Sequence, residues 1–143
     1  MAIKGAVKCV LLADRHSDLT ESMSGLIKTT FDAVVTVADV TSLLESARRL
    51  EPVVAIVDLS LAQGGCLDLL KRLRLLYPQL RLILLSVYDE PKVARLAIEA
   101  GADGFVLKRS LCTDLLQAID AVLNGKRYVS PGIRDREGLA EED

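Results

Sequence analysis

Four polar residues stand where apolar runs end: Asp14 after KCVLLA, Asp58 after VVAIV, Ser86 after LRLILL and Lys108 after GFVL. A carboxylate at the end of a buried strand is costly unless something compensates it. A strand-end Asp taken singly is an ordinary turn or helix-cap residue, and a single Lys is an ordinary solvated one. Two carboxylates, a hydroxyl and an ammonium brought to one rim are different. They suit phosphoryl transfer to a carboxylate: one Asp accepts the group, while hydroxyl and ammonium hold the oxygens over which its negative charge is spread. Asp58 is the candidate acceptor. Lys108 can also pair with the unmodified carboxylate.

The elements that must position these residues are legible. The strand candidates are residues 8–14, 33–37, 53–58, 80–86 and 104–108. Three of them are almost continuously apolar, as expected for strands buried on both faces of a parallel sheet. Helical patterns lie between them. Ser17 or Asp18 is placed to cap a helix reaching about Thr29. Asp39 precedes VTSLLESARRL, which puts Val40, Leu43, Leu44, Ala47 and Leu50 on one face. CLDLLKRLRLLY groups Leu67, Leu70, Leu73 and Leu76, with Lys71, Arg72 and Arg74 outward, and Pro78 ends it. EPKVARLAIEAG carries Pro91 in its first turn and Gly101 at its stop. A fifth helix ends at Asn124-Gly125. Five βα units in this order predict a doubly wound, flavodoxin-like α/β fold: five parallel strands in the order 2-1-3-4-5, with helices on both faces. In such sheets ligands bind beyond the carboxyl ends of the strands.

The chain has 143 residues, half of them apolar, enough for one domain with its own core. A formal charge of −2 and the acidic LAEED end argue against a dominant nucleic-acid surface. No apolar run approaches the roughly 18 residues of a membrane span, and no secretory signal opens the sequence. Cys9, Cys66 and Cys112 form an odd, widely spaced set without a CxxC pair, read as reduced thiols of a cytoplasmic protein. With the lone His16 they supply too few ligands for a zinc site.

The stretches VLLADRH, VAIVDLSLAQGG, LILLSVYDE and AGADGFVLKRS resemble a receiver domain of two-component response regulators. The last of these, together with GKRYVSP, is similar to the NarL/FixJ (LuxR-type) subfamily. The resemblance covers residues 7–131. It implies a receiver domain over 1–131, with 132–143 a tail or the start of a linker to an output domain. It also implies the phosphoacceptor at Asp58, the switch hydroxyl at Ser86, the phosphoryl-binding lysine at Lys108 and the switch aromatic at Phe105, a residue that core packing explains equally well. The implied partners are a histidine kinase or phosphotransfer protein and a homodimer mate. DNA would be reached only through an output domain outside this chain. Beyond autophosphotransfer and its reversal, no enzyme activity is implied.

The departures from the family pattern concern the metal. Members usually carry two adjacent acids after the first strand, the second of which ligates Mg²⁺. Here the first is Asp14 and the second position holds Arg15. The remaining oxygen ligands would be Asp14, Asp58 and the backbone carbonyl of Ser60. Mg²⁺ binding is therefore expected to be weak or absent, since the ion wants a near-octahedral set of oxygens. Two carboxylates against Lys108 and Arg15 sum to zero without a metal, so Arg15 is expected within salt-bridge reach of Asp58 or Asp14. The turn after Asp58 also departs, with Ala62 and Cys66 where Pro and Gly are usual, and Gly64 and Gly65 nearby to restore backbone freedom.

Two other readings compete. A pseudo-receiver would use the same fold for protein interaction without phosphorylation, as Arg15 and the altered turn suggest. A flavodoxin-like or haloacid-dehalogenase-like enzyme would need a phosphate loop after strand one, or an Asp two residues after its nucleophile. ADRHSD is not such a loop, and position 60 is Ser60.

Overall fold

The computed structural model describes residues 8–62 and 65–133. Strands β1 (Cys9–Ala13), β2 (Ala33–Val37), β3 (Val54–Asp58), β4 (Arg81–Ser86) and β5 (Gly104–Leu107) alternate with helices α1 (Ser17–Lys28), α2 (Val40–Leu50), α3 (Cys66–Leu76), α4 (Pro91–Ala100) and α5 (Leu111–Leu123). The strands run parallel in the order β2-β1-β3-β4-β5. The expected sheet is thus present, with one addition. A short β6 (Tyr128–Val129) extends it beyond β5, also in parallel. Two residues carry no readable period, and no strand is expected within GKRYVSP.

The central strands are buried on both faces, and their alternate side chains feed two cores. On one face Leu11, Ala55, Val57, Leu82, Leu84 and Phe105 meet α2, α3 and α4. On the other Val10, Leu12, Ile56, Ile83, Leu85 and Val106 meet α1 and α5. Leu115, Ile119 and Val122 of α5 belong to this second core. The last described residue, Ile133, is fully buried in the first. A buried polar clip ties β6 in place: Ser130 Oγ donates to Asp114 Oδ2 at 2.8 Å and accepts from the Leu107 N–H at 2.9 Å.

Local signals explain several ends. Asp39 caps α2, accepting from Ser42 N–H at 2.7 Å, and that bond holds its carboxyl below the ordinary range. Ser17 and Asp18 do not precede α1 as caps; the helix already begins at Ser17, after His16. The turn before it is closed instead by Asp14 Oδ1, which accepts from the His16 N–H at 2.9 Å. Gly64 lies outside the described residues. Gly65 has an ordinary negative φ, so its value there is not conformational freedom. A Cβ at this position would stand 3.3 Å from the Ala62 carbonyl oxygen.

Two expectations for α3 are corrected. Leu76 is 53% exposed, and Leu69 takes the core position instead, because the buried stripe follows Cys66, Leu69, Leu70 and Leu73. Arg74 does not point outward. Its guanidinium donates to the carbonyls of Leu80 and Gly101, each at 2.7 Å, and pairs with Asp103 at 2.7 Å. Asp103 in turn accepts from Leu82 N–H at 2.9 Å. Gly101 adopts φ +125°, and a Cβ on it would meet Arg74 Cβ at 3.2 Å. Arginine, with five donors in a rigid fork, suits this junction of α3, β4 and the α4–β5 turn.

Two predictions follow from these contacts. Arg74→Ala leaves the carbonyls of Pro78, Leu80 and Gly101 without this donor and Asp103 without its ion pair. It should lower the unfolding free energy by about 1–3 kcal/mol, read as a lower urea midpoint at unchanged slope; an unchanged midpoint would contradict the clasp. Cys9 and Cys66 are buried and Cys112 is exposed. Burial pushes both buried thiols up; for Cys66, burial and then the nearby Asp58 charge bring it to about 12. The reactive species is the thiolate. At pH 8 a disulfide reagent should therefore titrate one thiol rapidly in the native protein and the other two only on unfolding.

Candidate functional site

The register sets the site. Val57 lies opposite Ala13, Asp58 opposite Leu85, and Ser86 opposite Leu107. Asp14, Asp58, Ser86 and Lys108 therefore leave four neighbouring strands at one edge, the carboxyl edge of the sheet. Asp14, Asp58 and Ser86 are buried at 3%, 2% and 0% exposure.

Lys108 links the two carboxylates. Its Nζ lies 2.8 Å from Asp58 Oδ1 and 3.6 Å from Asp14 Oδ2. The other Asp58 oxygen, Oδ2, accepts from the Ser60 hydroxyl at 2.5 Å. The expectation for Ser60 involved only its backbone carbonyl. The 3-10 turn Leu59–Ala62 folds back after β3 and brings the side chain two residues on against its own strand end. That i+2 hydroxyl was the available signal. Asp14 is less completely satisfied. Its Oδ1 takes the His16 N–H, but Oδ2 is buried without a hydrogen bond.

Arg15 is not where the charge count put it. It is exposed and within salt-bridge distance of neither Asp14 nor Asp58; its Nη1 instead reaches the Ser60 carbonyl oxygen at 3.5 Å, a long contact. The reason is local. β1 ends at Ala13 and the chain bends at Arg15, with Asp14 on the buried side and Arg15 on the exposed one. The inner pocket therefore holds two carboxylates against one ammonium, with the guanidinium on the rim.

Ser86 does not touch Asp58 through its hydroxyl. Its Oγ accepts from Tyr88 N–H at 2.8 Å and donates to the Tyr88 carbonyl at 3.1 Å, closing the turn after β4. Phe105 is wholly buried in the first core, and Arg109, next to Lys108, pairs with Asp89 at 3.2 Å. A cavity of about 650 Å³ opens over Asp58, walled by Ser60, Cys66, Tyr88, Leu96 and Lys108.

The donor atoms of Asp14, His16 and Asp58 lie within 4.8 Å of one another. The Asp14 oxygen that accepts no hydrogen bond fits a divalent cation. The rest of the set does not match Mg²⁺ well. The position of a further acid is Arg15, and the Ser60 carbonyl faces that guanidinium. Among the described residues no helix is long and apolar enough to cross a membrane.

Comparison with known proteins identifies the family. The pattern of the response regulator receiver domain matches residues 10–120. The transcriptional regulatory protein MctR of Rhizobium johnstonii is 29% identical over 130 residues, which are 88% of this chain and 60% of that protein. A nitrate/nitrite response regulator homologue of Haemophilus influenzae is 31% identical over 128 residues, 88% of this chain and 62% of its own length. The chain thus spans about three fifths of these curated relatives. Among solved structures, a LuxR-family two-component response regulator from an Aurantimonas species superposes with a TM-score of 0.82 at 29% identity, covering 91% of this chain and 94% of that one. The non-phosphorylated receiver domain of Escherichia coli RcsB gives 0.77 at 25% identity, over 87% and 98%. Such domains are signal-transduction modules with no catalysis beyond autophosphotransfer. The chain belongs to the receiver-domain family of two-component response regulators, alongside its LuxR-type members.

Proposed function

We propose that Asp58 accepts a phosphoryl group from a histidine kinase or phosphotransfer protein in the cytoplasm, and that this changes the surface the domain offers to an output partner. The observation that carries the reading is the buried Asp58 carboxylate held at 2.8 Å by Lys108. In the step itself, a carboxylate oxygen of Asp58 attacks phosphorus. The P–N bond of the donor phosphohistidine breaks, its electron pair stays on the imidazole, and an acyl phosphate forms. Lys108 then has phosphoryl oxygens to pair with instead of the bare carboxylate.

Ser86 supplies the switch in this reading. To reach a phosphoryl oxygen its hydroxyl must give up the Tyr88 carbonyl, which loosens the turn carrying Val87 and Tyr88, exposed at 64% and 55%. Phe105 lies on the neighbouring strand, opposite Leu84, and is buried in the first core. The output is transcriptional, as the names of the relatives suggest, and passes through a further domain or a homodimer contact, with symmetric pairing. DNA is reached through that further domain, and residues 132–143 lead toward it.

Mg²⁺ contributes little here. When bound in a receiver it neutralises charge at the acyl phosphate. In this chain Asp14, Asp58 and the Ser60 carbonyl would hold it, with Arg15 in the place of a fourth oxygen donor.

Labelling with a small phosphodonor should be slow, should vanish in Asp58→Asn, and should change by less than about threefold when Mg²⁺ is added. Arg15→Asp should tighten Mg²⁺ binding by roughly tenfold or more, since it returns an oxygen ligand and removes a repelling charge. Rapid labelling of the unaltered protein only with metal present would show Arg15 to be a bystander. No labelling of either form, by phosphodonor or by phosphorylated kinase, would favour the phosphorylation-independent interaction module.

A further inference from the structure

The pocket holds one donor that a magnesium site does not use. His16 is the chain's single histidine. It stands at the start of α1, exposed, with its backbone N–H fixed by Asp14 Oδ1. Its ring comes within 4.8 Å of the carboxylate oxygens of Asp14 and Asp58. Asp14 Oδ2 is buried and without a hydrogen bond, and the Lys108 ammonium at 3.6 Å compensates it in part. A buried carboxylate oxygen with an ion-pair partner but no hydrogen bond is incompletely compensated.

We infer that Asp14, Asp58 and His16 form a site for a first-row transition cation that takes nitrogen together with oxygen, of the Co²⁺ class, in preference to Mg²⁺. Three features support it. The set contains two carboxylates and an imidazole, and imidazole suits such cations, whereas Mg²⁺ takes oxygen and keeps its waters. The groups Mg²⁺ would want are spoiled on the other side, where Arg15 replaces an acid and faces the Ser60 carbonyl. Finally, the inner pocket carries two carboxylates against one ammonium, so a dication enters a net negative site. Arg15 on the rim lowers the affinity for every dication alike, because it acts as a charge. The nitrogen donor does not act alike; it separates one class of cation from the other. Ligands of one ion lie about 3 Å apart when bonds are about 2.1 Å, so the imidazole must close in, as an exposed ring can by rotating its side chain.

The inference shares the pocket with the phosphotransfer reading but does not rest on it, and its test reads binding, not labelling. Untagged protein is titrated calorimetrically with Co²⁺ and with Mg²⁺, beside His16→Gln and Asp14→Asn, with the visible Co²⁺ absorption followed in parallel. All cation sites favour Co²⁺ to some degree, so the change made by His16→Gln decides the matter. The expected result is a roughly 10–100-fold loss of Co²⁺ affinity in His16→Gln, a shifted Co²⁺ absorption, and Mg²⁺ binding within about twofold of the unaltered protein. Asp14→Asn should weaken both cations. Unchanged Co²⁺ affinity in His16→Gln, or no Co²⁺ binding by the unaltered protein, would overturn the inference while leaving phosphorylation of Asp58 to its own test.

Discussion

The structure turns on one ammonium group. Lys108 stands between two buried carboxylates, 2.8 Å from one and 3.6 Å from the other. Taking a charge out of water costs several kcal/mol, of which attraction returns a part only when the geometry is good. Asp58 meets that condition with Lys108 and Ser60 on its two oxygens. Asp14 meets it only in part. The site is therefore held together tightly at one carboxylate and left short of positive charge at the other. That asymmetry favours a cation entering beside Asp14.

Everything that positions Lys108 serves this arrangement. The sheet is packed on both faces, so its strand ends cannot drift relative to one another. β5 is fixed between β4 and β6. The Asp114–Ser130–Leu107 clip holds β5 one residue before the lysine. Arg109, one residue after it, reaches across to Asp89 in the segment that follows Ser86. The two loops carrying the hydroxyl and the ammonium are thus joined by a surface ion pair, which is weak by itself and suited to breaking when the loops rearrange.

The sheet order, the five main strands and the gathering of Asp14, Asp58 and Lys108 were legible because each rests on a strong local rule. Buried parallel strands read as apolar runs, and their ends carry the polar residues. What was not legible depends on where a side chain turns. Arg15 is expected as a counter-ion from its neighbour in sequence, but the bend after β1 leaves it exposed while Asp14 is buried. Ser60 looked useful for its carbonyl, and the 3-10 turn brought its hydroxyl round as well. Arg74 and Leu76 exchanged their expected surroundings because the α3 stripe is set by Cys66 and Leu69. β6 is too short for any period to reveal.

The central claim, that Lys108 compensates a buried Asp58, is tested most directly by a double-mutant cycle in urea. Lys108→Met leaves Asp14 and Asp58 without their ammonium and should cost about 3–5 kcal/mol, as for other broken buried pairs. Lys108→Met combined with Asp58→Asn should recover part of that loss, giving a coupling energy of at least about 1 kcal/mol. If the two substitutions simply add, the contact carries no energy and Lys108 is a solvated side chain that lies close to Asp58 without compensating it.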